Sequence, residues 1–305
     1  MNYSQFLEMI TKEVRGRIDP QASIHISRIQ KMNQPTEDGM TILLPGENTA
    51  PAIYLDSFYQ EYLDGASLPV LAEKILTFHT ENRRTGICDL SFYQEFEQAR
   101  KRLVCRLVNY EMNQQLLEHI PHRRFLDLAI VYYYEIEAND SEFEHSSILV
   151  RNTHMKMWDV DVSQLHAIAA SNTRVLLPHL IGTIDMLGDI TQIPLPPRDP
   201  DAPRIYILTN KQLCYGAVNI IYDDILRSLS DKFGGDFFVL PSSIHECLIL
   251  PICSWNDKDP QKLQSIVSEI NQKYVPTEEI LGDNIYRYSR TMGTLCLVSC
   301  AQVIL

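Results

Sequence analysis

The stretch Asp236-Phe-Phe-Val-Leu240, Pro241-Ser-Ser-Ile-His-Glu246, Cys247-Leu-Ile-Leu-Pro251 sets two apolar runs of strand length on either side of a polar segment. A proline and two serines between apolar runs have the composition of a tight turn joining two antiparallel strands. On the N-terminal side, Ile205-Tyr-Ile-Leu208 reads as a strand, and Gly216 to Lys232 as a helix. On the C-terminal side, Asp259 caps a helix with Pro260 at its first position, and Ile285-Tyr-Arg-Tyr288 reads as a closing strand. The order βαββαβ is the split βαβ, ferredoxin-like arrangement.

Residues 103–176 run in a similar order. Leu103-Val-Cys-Arg-Leu-Val108 is a strand, and a short helix follows around Met112 to Glu118. Phe125-Leu-Asp-Leu-Ala-Ile-Val-Tyr-Tyr-Tyr134 carries almost no polar residue, so it is expected as one long strand, central and buried on both faces. Ile148-Leu-Val150 comes next, then a helix capped by Asp161 or Ser163. In each half a Trp (158, 255) precedes a helix that carries a Leu (165, 263) and ends near an Asn (172, 271). An internal duplication with a shift of about a hundred residues is one account of this; the chance likeness of two αβ lobes is the other. Prolines at 194, 196, 197, 200 and 203 make a stiff connector. The N-terminal region reads as a helix with Phe6, Leu7, Ile10 and Val14 on one face, then a hairpin, a third strand and two helices. Gly65 stops the first of those helices and Ser67 caps the second. The expected fold is α+β. A hairpin-plus-helices cap (1–90) precedes a first αβ lobe (91–193), the connector (194–203) and a second αβ lobe (204–305).

Composition restricts the function. Of 305 residues, 45% are hydrophobic and 22% charged, as in globular domains, and the net charge is -12. Basic groups occur only as short clusters: Arg83-Arg84, Lys101-Arg102 with Arg106, and Arg123-Arg124. These read as solvated faces or helix-end charges, so nucleic acid is not expected as a partner. The seven cysteines (88, 105, 214, 247, 253, 296, 300) are odd in number, irregular in spacing and mostly set in apolar runs. They read as free buried thiols in a reducing cytoplasm. The N-terminus lacks the pattern of a signal peptide. The apolar stretch Leu295 to Leu305 is far shorter than the ~20 residues a membrane helix needs, and it reads as a last strand or a loosely ordered tail.

Several phrases together carry a resemblance. They are Ala52-Ile-Tyr-Leu-Asp-Ser-Phe-Tyr59 with Gly65, Leu107-Val-Asn-Tyr-Glu111 with Asn113, and Phe125-Leu-Asp-Leu-Ala-Ile-Val131. Asn172-Thr173, Tyr206-Ile-Leu-Thr-Asn210 with Gly216-Ala217, and Leu240-Pro-Ser-Ser-Ile-His-Glu246 complete the set. The chain resembles, over nearly its whole length up to about residue 292, a family from gut Firmicutes called domain of unknown function 5688. The resemblance implies a bacterial cytoplasmic protein and assigns no activity or catalytic residue.

The candidate site residues are Ser242, Ser243, His245 and Glu246, with Asn109 and Asn210 just past strand ends, where α/β folds place ligands. Each has a structural alternative: turn hydroxyls, a half-buried histidine, caps of the next helix. Side chains at 243 and 245 of an extended chain run parallel, about 6–7 Å apart, which works against a serine–histidine pair. Pro121 separates His119 from His122, and neither Cys247/Cys253 nor Cys296/Cys300 has zinc-site spacing, so no metal is expected. No phosphate or dinucleotide loop is present, and no cofactor is expected. The sequence favours a non-catalytic binding or adaptor protein. Its partner, a protein or a small molecule, would use the groove between lobes or an exposed hairpin tip. The alternative is a small-molecule hydrolase or transferase with His245 as base and Glu246 or Asn210 placing the substrate. That alternative requires His245, a serine and a carboxylate to converge.

Overall fold

The computed structural model describes residues 1–30, 32–83, 85–87, 91–136, 147–183, 204–241, 243–252 and 259–298. The Pro-rich connector 194–203, Ser242, Trp255, three of the cysteines (88, 253, 300) and the tail from 299 lie outside them. The fold is α+β, and the chain divides into two compact units, residues 1–92 and 93–305.

In the first unit, α1 (Tyr3–Arg15) opens with a capping box: Gln5 N–H donates to Asn2 Oδ1 (2.9 Å), and Asn2 N–H to Gln5 Oε1 (3.1 Å). Its Phe6, Ile10 and Val14 are buried against β1 (Ser23–Gln30), β2 (Thr36–Leu43) and β3 (Ala52–Tyr54), an antiparallel sheet in that order. Helices α2 (Leu55–Leu63) and α3 (Leu68–Asn82) complete the core with Leu55, Leu71 and Ile75. Ser67 occupies the N-cap of α3 but makes no side-chain capping bond. Buried His79 ties α3 to the sheet through the Ile42 carbonyl (2.8 Å).

Two short helical turns follow, α4 (Ser91–Gln94) and α5 (Phe96–Ala99), and the second unit continues with β4 (Leu103–Asn109), α6 (Gln114–Leu117), β5 (His122–Phe125), β6 (Leu128–Glu135) and β7 (Ser147–Leu149). β4 pairs with the whole of β6, while β5 and β7 share the other edge of β6. β6 is thus central, as its apolarity requires. The single strand expected over 125–134 is in fact the end of β5, a tight turn and β6. Leu126 takes φ +56° with no local turn signal in the sequence. The turn is fixed from outside, because the Asp127 carboxylate accepts Tyr286 O–H (2.7 Å) and Asn284 Nδ2–H (2.8 Å). After α7 (Asn152–Trp158), helix α8 (Val162–Leu176) runs along β4. The exposed strand edge is satisfied there: Cys105 N–H donates to Thr173 Oγ1 (2.8 Å), and Asn172 Nδ2–H to the Leu103 carbonyl (3.0 Å).

The second sheet contains β8 (His179–Thr183), β9 (Tyr206–Asn210), β10 (Phe237–Leu240), β11 (Cys247–Pro251), β12 (Tyr286–Ser289) and β13 (Thr294–Leu297). All pairs are antiparallel, in the order β13-β12-β10-β11-β9-β8. β9 and β10 flank β11, so the first split βαβ unit forms. The ferredoxin-like arrangement then fails, because its fourth strand belongs beside the first. That edge of β9 is taken by β8, which the sequence reading lacks, and β12 pairs with β10 instead. The expected duplication also receives no support from the topology, since β4 pairs with the first strand of its hairpin and β9 with the second. The helix expected from Gly216 is a 3-10 turn (Gly216–Ile221) followed, after Tyr222, by α9 (Asp223–Phe233), which stops at Gly234 in the left-handed region. Helix α10 (Pro260–Tyr274) is capped by Asp259 as expected.

The 3-10 turn lies directly on the end of β9. A Cβ on Gly216 would sit 2.4 Å from Thr209 Oγ1 and 2.5 Å from the Asn210 backbone nitrogen. The backbone cannot yield as a side chain can. Gly216→Ala is expected to cost about 1–3 kcal/mol in urea unfolding. Gly235→Ala, at a position with open space, is expected to stay within about 0.5 kcal/mol of the parent.

Asp236 ties the start of β10 to β12, accepting from Arg287 Nη2 (2.7 Å), Arg287 Nε (3.0 Å) and the Arg290 backbone N–H (2.9 Å). Burial alone would raise its carboxyl, but these donors outweigh burial and hold it below the usual carboxylate range. The native state therefore favours the ionised form, and the contribution is complete above the unfolded value near ~3.9 and lost as pH falls through the depressed native value. Asp236→Asn is expected to lower stability at pH 7 by about 1 kcal/mol, the scale of a partly exposed pair. The gap between parent and variant should narrow in urea titrations as the pH falls below the ordinary carboxylate range.

Candidate functional site

Residues 241–246 join β10 to β11, as the turn composition requires, but they do not form an exposed hairpin tip. A second segment, 279–282, is sewn onto them. Ile244 N–H donates to the Glu279 carbonyl (2.8 Å), Gly282 N–H to the Pro241 carbonyl (3.2 Å), and Ser243 bridges to Ile280. Ser243 is 4% exposed, whereas His245 and Glu246 are half-buried.

The polar side chains are committed within this loop. Ser243 Oγ–H donates to Glu246 Oε1 (2.8 Å) and accepts His245 backbone N–H (3.0 Å). The His245 ring faces elsewhere: Nδ1 accepts Tyr215 N–H (3.2 Å), and Nε2 stands 3.4 Å from Glu279 Oε1. A neutral ring that accepts at Nδ1 carries its proton on Nε2, toward the glutamate. Ser243 and the His245 ring therefore do not form a nucleophile–base pair. Ser242 lies outside the described residues.

Asn210 is fully buried and organises the loop that reaches His245. Its Oδ1 accepts Gln212 N–H (2.9 Å) and its Nδ2–H donates to the Cys214 carbonyl (2.6 Å). This Asx arrangement holds Leu213 and Tyr215 in the left-handed region, at φ +56° and +55°. Thr209 Oγ1–H (2.8 Å) and Gly216 N–H (2.9 Å) both donate to the His245 carbonyl, which locks the 210–216 and 241–246 loops together. Asn109 reaches the same place from β4: its Nδ2–H donates to the Leu281 carbonyl (3.1 Å), and its Oδ1 accepts Met112 N–H (2.9 Å). The structure thus gathers Asn109, Asn210, Ser243, His245 and Glu246 around segment 279–282. The asparagines serve there as framework.

The sequence reading missed the group at the centre. Arg106 does not sit on a solvated face. It is 4% exposed, on the side of the sheet away from Cys105 and α8. Its guanidinium lies between two rings, 4.0 Å from the Tyr133 centroid and 3.5 Å from that of Tyr215. Nη2–H donates to Glu135 Oε1 (2.7 Å) and Ser147 Oγ (2.9 Å), while Nε–H is buried without a partner among the described residues. Tyr215 also packs against the His245 ring (5.3 Å between centroids). A contiguous chain therefore runs Glu135–Arg106–Tyr215–His245–Glu279. The available signal was the arginine itself, a lone charge inside the apolar run 103–108 that must find partners. Its partners sit far away in sequence and had no signal of their own.

Other polar clusters are structural. Tyr93, His154 and Trp158 pack edge to face, with the Tyr93 hydroxyl on the His154 ring and Trp158 Nε1–H on the Tyr93 carbonyl (3.0 Å). Burial pushes the Tyr93 phenol above its ordinary range and holds the His154 imidazole below its own. Cys105 and Cys247 are buried free thiols, and burial pushes Cys105 up to about 12, out of reach of thiolate chemistry. Among the described residues no group of histidine, cysteine and carboxylate side chains could hold a metal ion, and no helix is long and apolar enough to cross a membrane.

No curated protein and no solved structure matches the chain. Residues 3–290 match the family model described as Family of unknown function (DUF5688), and the chain belongs to that family.

Proposed function

We propose that this chain is a non-catalytic cytoplasmic binding protein. Its recognition surface is formed where loops 210–216 and 241–246 meet the turn Thr277–Glu279. One observation carries the reading: the hydroxyl of Ser243 is bonded to Glu246, and the imidazole of His245 is spent on Tyr215 and Glu279. Acid–base or nucleophilic work needs a base within hydrogen-bond reach of the proton it takes. Here each group is held by an internal partner, which suits a preorganised binding surface. His245, Glu246, Tyr215 and Glu279 are partly exposed and available for contact, while Asn109, Asn210 and Ser243 support them from below. The cytoplasmic assignment is supported by the free thiols of Cys105 and Cys247. The partner is a small molecule or a protein; nucleic acid is disfavoured by the net charge of -12.

Native mass spectrometry of the full chain, purified gently from its own host, tests this. A stoichiometric small molecule or second polypeptide is expected on the parent protein. His245→Ala should weaken its retention about tenfold, the effect of losing about 1.4 kcal/mol of contact, with the fold intact by circular dichroism. Equal retention by the variant would remove the site from the proposal. A turnover abolished by Ser243→Ala in a folded protein would overturn the non-catalytic reading.

A further inference from the structure

Arg106 presents a problem of hydrogen bonding that the described residues do not solve. A guanidinium has five N–H donors in a rigid plane, and burying one without acceptors is costly. Nη2 is satisfied by Glu135 and Ser147, and both flat faces are covered by tyrosine rings, but Nε–H meets no acceptor among the described residues. The carboxylates nearby are committed elsewhere: Glu135 to Nη2 of Arg106, Glu246 to Ser243, and Glu279 facing His245. Orphaned donors of this kind mark places where a ligand oxygen completes the set.

The covering group on one side is of a different nature from the other. Tyr133 belongs to the central strand β6 and is fixed by the sheet. Tyr215 belongs to a half-exposed loop whose tip, Lys211 and Gln212, is exposed. It sits at φ +55°, in the left-handed region that strains an ordinary L residue, as does Leu213 two residues earlier. Its backbone N–H is held by one bond of 3.2 Å to His245 Nδ1. A strained residue on a half-exposed loop, paired with no strand, is a cover whose displacement leaves the sheet ladder intact.

We propose that Arg106 is the anion-recognition group of this site and that Tyr215 is its displaceable cover. The ligand presents an oxyanion, a carboxylate or a phosphate group, whose oxygen accepts Nε–H of Arg106 in the guanidinium plane once the loop that carries Tyr215 has moved aside. The inference rests on the binding reading above and adds the chemical class of the ligand. His245 acts here as a positioning residue, setting the closed place of Tyr215 through its backbone.

The test is observation of the Arg106 Nε–H signal by proton–nitrogen correlation NMR on the full chain. Arg106→Lys identifies the signal by its loss, and stepwise assignment on the parent serves if that variant fails to fold. Inorganic phosphate and succinate are titrated separately, with sodium chloride at matched ionic strength as control. A saturable shift with one of the two anions and none with chloride is expected, and the active anion tells phosphate from carboxylate. Tyr215→Gly removes the ring and fits the left-handed backbone, so it should lower the half-saturation concentration about tenfold, as removal of a closed state does. The proposal is overturned if neither anion moves the signal in the parent or in Tyr215→Gly, or if chloride moves it equally. A partner retained in native mass spectrometry together with an unmoved Arg106 signal would leave the binding reading standing and sink the anion assignment alone.

Discussion

A single positive charge inside an apolar strand governs much of the second unit. Arg106 sits in the middle of β4, where each neighbour in sequence is buried. Removing one partner of a buried ion pair costs about 3–5 kcal/mol, because the remaining charge stays behind unpaired. The fold therefore has to bring Glu135 and Ser147 to one side of the guanidinium and a ring to each face. Glu135 lies at the end of β6, and Ser147 at the start of β7, directly opposite it in register. The third element, the loop after β9, comes from the other sheet and brings Tyr215. The surroundings of one guanidinium thus draw on two sheets that share no strand.

Other contacts between the sheets follow the same principle, each using a polar group to satisfy a backbone or a turn that would otherwise be left open. Asp127 lies in the tight turn between β5 and β6 and takes both its strong bonds from residues at or just before β12. Burial and the neighbouring Asp127 charge push the Tyr286 phenol far above its ordinary range, so it remains a donor at every physiological pH. Asn109 at the end of β4 donates to Leu281, and Asn271 of α10 donates to Gly282 and Asp283 (3.0 and 2.9 Å). Segment 279–282 is held from three directions. This explains why a stretch with little regular structure can position Glu279 against His245.

The amount that was legible in the sequence follows from the range of the interactions involved. Helix α1, its buried face, the cap at Asp259 and the apolar strands β10 and β11 are set by periodicity and nearest-neighbour chemistry, and they lie where the residues place them. The turn at Leu126, the strand β8 and the spatial order of the second sheet depend on pairings across long distances in the chain. No local pattern records them: His179-Leu-Ile-Gly-Thr183 has neither strict alternation nor a long apolar run. The site divides in the same way. The polar residues of segment 241–246 are clustered in the sequence, and in space Ser243 bonds to both Glu246 and the His245 backbone. Its role depended on Tyr215 and Glu279, ordinary residues in isolation, which acquire meaning only through their neighbours in space.

That division also bears on how the site should be understood. A catalytic reading of Ser243, His245 and Glu246 treats them as residues that act on something outside the protein. In the structure their first obligations are to one another and to the adjacent loops, since a buried hydroxyl or an imidazole nitrogen left unbonded would cost more than it could return. Satisfied groups hold position, and position is what they contribute. Arg106 departs from this pattern, because it is the most deeply buried charge of the cluster and its Nε–H has no partner among the described residues. The other polar groups of this cluster are met by asparagines and backbone carbonyls, whereas this donor has no partner among the described residues and lies beneath a strained tyrosine. The unpaired donor lies beside a tyrosine held in the left-handed region, so an open hydrogen bond and a strained backbone meet at one place in the cluster.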